Sequence, residues 1–137
     1  MVDFNNTVDI VARTAWGENR GGGPDGMQSV INVIQNRAAK GGWWGSTMLA
    51  VCLYPDQFDC WIADNNPSSD YHATLNVTIA DPDFALALNL ASRAVMGTLP
   101  DITGGATMYY AKSMSTPPYW AATATFTREV AGQLFYA

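Results

Sequence analysis

The 137-residue chain holds only two glutamates, Glu18 and Glu129. Glu18 stands in RTAWGENRGGGPDGM, residues 13–27, between a stretch of helical pattern and a loop carrying Gly21, Gly22, Gly23 and Gly26. A carboxylic acid in a partly apolar cleft can protonate a poor leaving-group oxygen, such as that of a glycosidic bond. Desolvation equips it by lifting its pKa toward ~6–7. Trp16 supplies an apolar neighbour, and the glycines would let backbone approach a bulky ligand. The plainer alternative is a solvent-facing carboxylate at a helix C-terminus, a position the helix dipole disfavours by up to ~1 kcal/mol. Glu129, in TREV, reads as a charge on the watery side of a strand.

Aromatic groups recur at Trp43-Trp44, Phe58, Trp61, Tyr109-Tyr110 and Tyr119-Trp120, and such rings can stack on sugars. For each of them a core position is the default. Tyr109 and Tyr110, adjacent on a strand, must point to opposite faces of its sheet. His72 and Cys60 form no recognisable nucleophile pair. The triple glycine is no phosphate loop, since no Gly-Lys-Ser or Gly-Lys-Thr follows it. Zinc is disfavoured because His72 is the single histidine and no Cys-x-x-Cys occurs. Cys52 and Cys60, in VCLYPDQFDC, are spaced for either a loop-closing bridge or two reduced buried thiols.

The elements that must position these groups begin with a helix over residues 6–17, with Val8, Val11, Ala12 and Ala15 on one face, Phe4 as a staple before it and Gly17 at its end. A second helix starts at Asp25, with Gln28 completing a capping box. It carries Met27, Val30, Ile31, Ile34 and Ala38 as its apolar stripe and stops at Gly41-Gly42. A short third helix follows Ser46 through Met48, Leu49 and Cys52. Residues 54–71 read as a long ordered loop of the kind that often carries function. Asp81 caps a fourth helix, with Pro82 at its first position, Phe84, Leu88, Ala91 and Val95 as its buried stripe and Gly97 beyond its end. The pattern then becomes strand-like at residues 106–111, 123–130 and 133–137, with Ala131-Gly132 closing a hairpin. Helices followed by a small antiparallel sheet make an α+β domain.

Composition narrows the partners. Hydrophobic residues make up 48% and charged residues 14%, so the chain is globular and large enough to build a core with a cleft. The net charge is −5 and the seven basic residues are scattered, which disfavours nucleic acid and anionic membrane surfaces. No apolar run reaches the ~18 residues of a membrane span. The start, MVDFNNTVDIV, lacks the features of a secretory signal. A neutral or weakly charged ligand suits such a surface, and the aromatics suit a carbohydrate.

WGENRGG at 16–22, followed by GMQSVINVIQNR at 26–37, resembles the opening of the spore-cortex-lytic type of cell-wall hydrolase. That family typically shows a Gly-Glu-Ala-Arg-Gly core and then a helix ending in Asn-Arg. QFDCW at 57–61 is similar to its Gln-Phe-Ser-Cys-Trp segment; GGATMYYA at 104–111, PPYW at 117–120 and LFY at 134–136 follow in the family's order. The chain departs from the pattern at Asn19, Gly22 and Gln133, where alanine, a second glutamate and histidine are usual.

The resemblance implies a lysozyme-like α+β fold of about four helices and a small antiparallel sheet from the C-terminal third, in one catalytic domain over residues 1–137. It implies cleavage of peptidoglycan between N-acetylmuramic acid and N-acetylglucosamine, with Glu18 in the position of the family's catalytic acid. Arg20 and Asn36 are expected to hold the Glu18 loop or the sugar. Gln57, Phe58, Tyr109, Tyr110 and Trp120 are expected in the substrate groove. A lytic transglycosylase is the expectation, one carboxylate serving as acid and then as base. A hydrolytic muramidase would need a second carboxylate at ~5–5.5 Å or ~6.5–9.5 Å, for which Asp56, Asp59 and Asp64 are candidates. A non-catalytic glycan-binding module is the reading from another class. No cofactor or metal is expected, and the partner is bacterial peptidoglycan, met by a monomer without nucleic acid or membrane insertion. A small chain of this family with no evident leader also resembles a bacteriophage endolysin, made in the host cytoplasm and released to the wall through a separate pore. That oxidising destination favours a Cys52–Cys60 bridge.

Overall fold

The computed structural model describes residues 2–137. Five α-helices come first: α1 Thr7–Asn19, α2 Gly23–Lys40, α3 Met48–Leu53, α4 Asp70–Asn76 and α5 Pro82–Val95. Three strands follow, β1 Met108–Ala111, β2 Phe126–Val130 and β3 Gln133–Tyr136. The α+β class and the order of helices before sheet match the sequence reading.

The helix ends show which local signals prevail. Asn6 caps α1 by accepting from the Asp9 N–H at 3.0 Å, but the helix passes through Gly17 and runs on to Asn19. Glu18 therefore lies within the last turn of α1 and not beyond it. α2 begins at Gly23, two residues before the expected Asp25, with Pro24 in its first turn. The Asp25–Gln28 capping box does not form, because Gln28 Nε2 donates instead to the Pro100 carbonyl at 2.9 Å. Gly41, at φ 68°, ends the helix in the left-handed region where glycine carries no Cβ penalty.

α4 adds a fifth helix where a loop was expected to end. Ser69 caps it, and the buried Arg13 of α1 donates through Nη1 to the carbonyls of Thr74, Leu75 and Val77 at 2.8, 3.2 and 3.1 Å. Asp81 caps α5 by accepting from the N–H groups of Asp83 and Phe84 at 2.9 and 3.1 Å; it also accepts from Trp16 Nε1 at 3.3 Å, tying α5 to α1. The buried face of α5 is Phe84, Ala87, Leu90, Ala91 and Ala94. Val95, assigned to that stripe by spacing, is 45% exposed because the stripe turns away at the helix end.

α2 lies at the centre. Val30, Ile31 and Ile34 join Ile10, Val11, Phe84 and Leu90 in the main core, while Val33 packs against Ala106 and Phe135 beneath the sheet. Each such side chain, fully buried, contributes roughly 1.5–3 kcal/mol before entropy is charged against it. β3 is the middle strand, antiparallel to both neighbours. Ala131 and Gly132, at φ 48° and 78°, turn the β2–β3 hairpin with the consecutive left-handed residues that match strand twist. Period-two alternation sends Tyr109 inward, its ring stacked on Phe135 at 5.3 Å, and leaves Tyr110 on the outer face with Tyr136.

Polar side chains on one side of α2 fix the segment that leads into β1. Asn32 donates to the Pro100 carbonyl at 3.0 Å and accepts from the Ile102 N–H at 3.0 Å. One turn later Asn36 donates to Asp101 Oδ2 at 3.0 Å and to the Ala106 carbonyl at 2.9 Å. Arg37 Nε donates to the Thr107 carbonyl at 2.7 Å. These bonds set where Tyr109 meets α1. Among the described residues no helix is long and apolar enough to cross a membrane.

Candidate functional site

Glu18 is half-buried on the last turn of α1. Its Oε2 accepts from the Cys60 N–H at 3.3 Å and its Oε1 accepts from the Tyr109 hydroxyl at 3.4 Å. The short 3-10 turn Asp59–Trp61 that supplies the Cys60 N–H can come this close only because residue 17 is glycine. A Cβ there would meet the Cys60 Cβ at 2.6 Å and the Thr74 Oγ1 at 2.5 Å. Gly22 and Gly26 serve a similar purpose, since Cβ atoms on them would meet the Asn19 side chain at 2.7 and 2.9 Å. These two glycines make room for the Asn19 side chain.

Burial pushes the Glu18 carboxyl above the usual carboxylate range, and the charge of Asp59 adds to the rise. The Cys60 N–H and the Tyr109 hydroxyl oppose it, because both stabilise the ionised form, but burial prevails. Tyr109 is driven well above its ordinary value by burial and then by the neighbouring Glu18, so its hydroxyl stays a donor.

Tyr109 also lines a groove of about 720 Å³ walled by Arg37, Trp43, Trp44, Gln57, Tyr119 and Trp120 among others. Glu18 is not in the wall itself; it meets the groove through the Tyr109 hydroxyl. Trp43, 59% exposed, and Tyr119, 92% exposed, offer open ring faces beside it. The site thus joins an acid with an elevated pKa to a groove of about 720 Å³ lined with rings.

The expected site residues divide. Gln57, Tyr109 and Trp120 line the groove. Phe58 does not: it is 2% exposed and belongs to the main core. Tyr110 does not either. Strand alternation puts it on the opposite face, where it stacks on Tyr136 at 5.7 Å and meets Trp120 edge-on at 5.9 Å. Arg20 lies over the Trp16 ring at 4.0 Å, donates to the Trp16 and Gly17 carbonyls and pairs with Asp70 at 2.8 Å. It holds the α1 end that bears Glu18. Asn36 anchors the 101–106 segment, as described.

Cys52 and Cys60 are free, buried thiols, so the bridge favoured by the endolysin resemblance is absent. Cys52 sits on α3 and Cys60 on the 59–61 turn, both in the core, and Cys60 Sγ donates to the Thr14 carbonyl at 4.0 Å. Burial lifts the Cys52 thiol to about 12 and the Cys60 thiol higher still, which leaves no reactive thiolate. His72 pairs with Ser69 and Asp64 instead. Of the carboxylates considered as a second acid, Asp56, Asp59 and Asp64 are all exposed, and Asp59 alone acts on Glu18. Among the described residues no group of three or more His, Cys, Asp or Glu side chains is gathered for a metal.

Arg37 is one of the groove residues that the sequence reading passed over. Its signal was position: seven residues after Val30 and three after Ile34, an arginine continues the apolar stripe of α2. It is 8% exposed, with Trp44 and Phe58 rings at 5.4 and 5.5 Å from Cζ, and burial lowers its pKa.

A family model described as Cell Wall Hydrolase matches residues 21–136, a span that begins just beyond Glu18. Two solved structures share the fold. The catalytic domain of the germination-specific lytic transglycosylase SleB from Bacillus anthracis aligns with a TM-score of 0.66 at 20% identity, over 96% of this chain and 93% of that one. The catalytic domain of the Bacillus cereus SleB protein aligns with a TM-score of 0.69 at 20% identity, over 97% and 91%. No curated protein sequence matches. The α+β architecture implied by the resemblance is shared with both structures.

Proposed function

The chain belongs to the cell wall hydrolase family, and from that premise we propose that it cleaves the glycan strand of peptidoglycan between N-acetylmuramic acid and N-acetylglucosamine, with Glu18 as the acid. The observation that carries the proposal is the half-buried Glu18 carboxyl, its pKa raised by burial, one hydroxyl away from a ring-lined groove. Protonated, it donates to the bridging oxygen as the muramic C1–O bond breaks and positive charge develops at C1. The carboxylate left behind is received by two donors already in place, the Cys60 N–H and the Tyr109 hydroxyl.

In the transglycosylase route that carboxylate then takes the proton of the same sugar's C6 hydroxyl, whose oxygen bonds to C1 and closes a 1,6-anhydro ring. Glu18 returns to the acid form and no water is consumed. Two features favour this route: one of the two structures that share the fold is that of a lytic transglycosylase, and among the described residues no Asp or Glu side chain lines the groove to act as a second carboxylate. The hydrolytic reading keeps one supporting observation, the electrostatic reach of Asp59 to Glu18. Gln57, Trp43 and Trp120 are the side chains proposed to contact sugar. Mass spectrometry of digested wall separates the routes. Anhydro-muramic ends are expected; reducing muramic ends without them would assign a hydrolase, and undegraded glycan with retained wall binding would leave only a binding module.

A further inference from the structure

Arg37 is a buried cation whose hydrogen bonding is unfinished. Nε is spent on the Thr107 carbonyl at 2.7 Å, while Nη1 is buried without a partner. The ion pairs among the described residues are Arg13–Asp9, Arg20–Asp70 and Lys112–Glu129, and none includes Arg37. Glu18 cannot serve as its counter-charge while it holds the proton that cleavage requires. A guanidinium at 8% exposure with no ion-pair partner is costly, and the Thr107 carbonyl and the Trp44 and Phe58 rings repay its desolvation only in part. Lys40 lines the same wall, its ammonium 5.6 Å from the Trp44 ring, so a protein of net charge −5 presents two positive groups side by side in one groove.

We propose that Arg37, with Lys40 beside it, is the receptor for a carboxylate carried by the muramic residues of the strand. The inference rests on reading the groove as the glycan cleft. The planar fork of an arginine takes a carboxylate through two parallel bonds, a geometry that neutral sugar hydroxyls do not offer. The muramic ring whose C1 bears the scissile bond carries a lactyl ether at O3 that ends in a carboxyl. That group is a free carboxylate on denuded strands; on others it is amide-linked to a stem peptide with carboxylates of its own. A strand whose lactyl group has closed into an internal lactam has no such charge at the ring. Arg37 would therefore sort muramic residues by the state of this substituent.

The test is a titration followed by tryptophan fluorescence, using the disaccharide N-acetylglucosaminyl-N-acetylmuramic acid. This probe lacks the bond proposed to be cut, so binding is read apart from cleavage and the result stands whether or not Glu18 is the acid. Its arms are the free acid, the primary amide, and the same disaccharide bearing an alanyl-glutamate stem with free or amidated carboxylates. Wild-type protein should bind the free acid about tenfold more tightly than the amide. A preference confined to the stem-bearing pair would assign the carboxylate to the peptide, and equal affinity in both pairs would overturn the proposal. Arg37→Gln should abolish the discrimination, bringing the ratio of acid to amide affinity to about one whatever the absolute affinities become. A purely structural Arg37 would lower stability in that variant but leave acid and amide in their original ratio. Should Arg37→Gln fail to fold, the wild-type comparison alone decides; discrimination that vanishes in Lys40→Gln yet survives in Arg37→Gln would also defeat the assignment.

Discussion

Glu18 is held by two donors that act against its burial, and the balance makes testable statements about charge. Its raised pKa means that the folded protein binds this proton more tightly than the unfolded chain. Ionisation therefore opposes folding once the pH exceeds the unfolded carboxylate's range, and the penalty is absent below it. Glu18→Gln removes that penalty while its amide oxygen can still accept from the Cys60 N–H. The variant should melt at or above the wild-type temperature at pH 8, with no gain at pH 4, and turbidity assays should show lysis reduced roughly 10²–10⁴-fold. Tyr109→Phe tests the other donor. Loss of the hydroxyl withdraws a bond that favours the carboxylate, so the Glu18 pKa rises further and the alkaline limb of kcat/KM shifts to higher pH. An unmoved limb would show that the 3.4 Å contact carries no weight in the active enzyme. As a candidate acid Glu18 was legible in the sequence, one of only two glutamates and set beside glycines and Trp16. Arg37 was not, since an arginine in the last turn of a helix is explained well enough by the helix dipole.

At the scale of elements, the site depends on how α2 grips the segment before β1. Asp101 is the knot of that grip, accepting from the Thr103 N–H and hydroxyl at 2.7 Å each, from the Gly105 N–H at 2.9 Å and from Asn36 at 3.0 Å. Burial alone would raise its pKa, but these four donors outweigh it and hold the carboxyl below its usual value. A depressed carboxylate pKa contributes stability that is present above the unfolded value and is lost as pH falls through the folded one. Asp101→Ala should therefore be destabilised in urea titrations at pH 7, with the difference from wild type shrinking at pH 3 and below. A difference independent of pH would assign the loss to packing. The Asp81 cap could be read from the sequence, as could the strand pattern and the Ala131-Gly132 turn. The Asp25–Gln28 box could not, because Gln28 is claimed by a carbonyl 72 residues away. α4 was missed because its seven residues lack an apolar stripe, and it is held from outside by Arg13. Phe58 was misplaced because a ring flanked by polar residues reads alike whether it turns into a groove or into the core.

The whole molecule brings its reactive-looking groups to different depths. Glu18 and the groove lie where the helical body meets the sheet, whereas Cys52 and Cys60 are enclosed with Ile10, Val11 and Val51 in the main core. The two thiols therefore report on the fold and take no part in the proposed chemistry. Burial keeps Cys52 protonated, with a pKa of about 12, and Cys60 is raised further by burial and by Glu18. Alkylating reagents attack the thiolate, so native protein should label only as fast as the core opens. In denaturant without reductant, two thiols per chain should titrate; none would mean that a bridge had formed. In native buffer neither should react over the same interval, and lytic activity should be indifferent to the reagent. Rapid native labelling accompanied by loss of lysis would instead favour a cysteine-dependent enzyme. Slow labelling whose rate rises with urea in step with the loss of fluorescence would identify the opening that exposes the thiols as global unfolding. The core that positions Glu18 would then be a single cooperative unit with the α1 end that carries it.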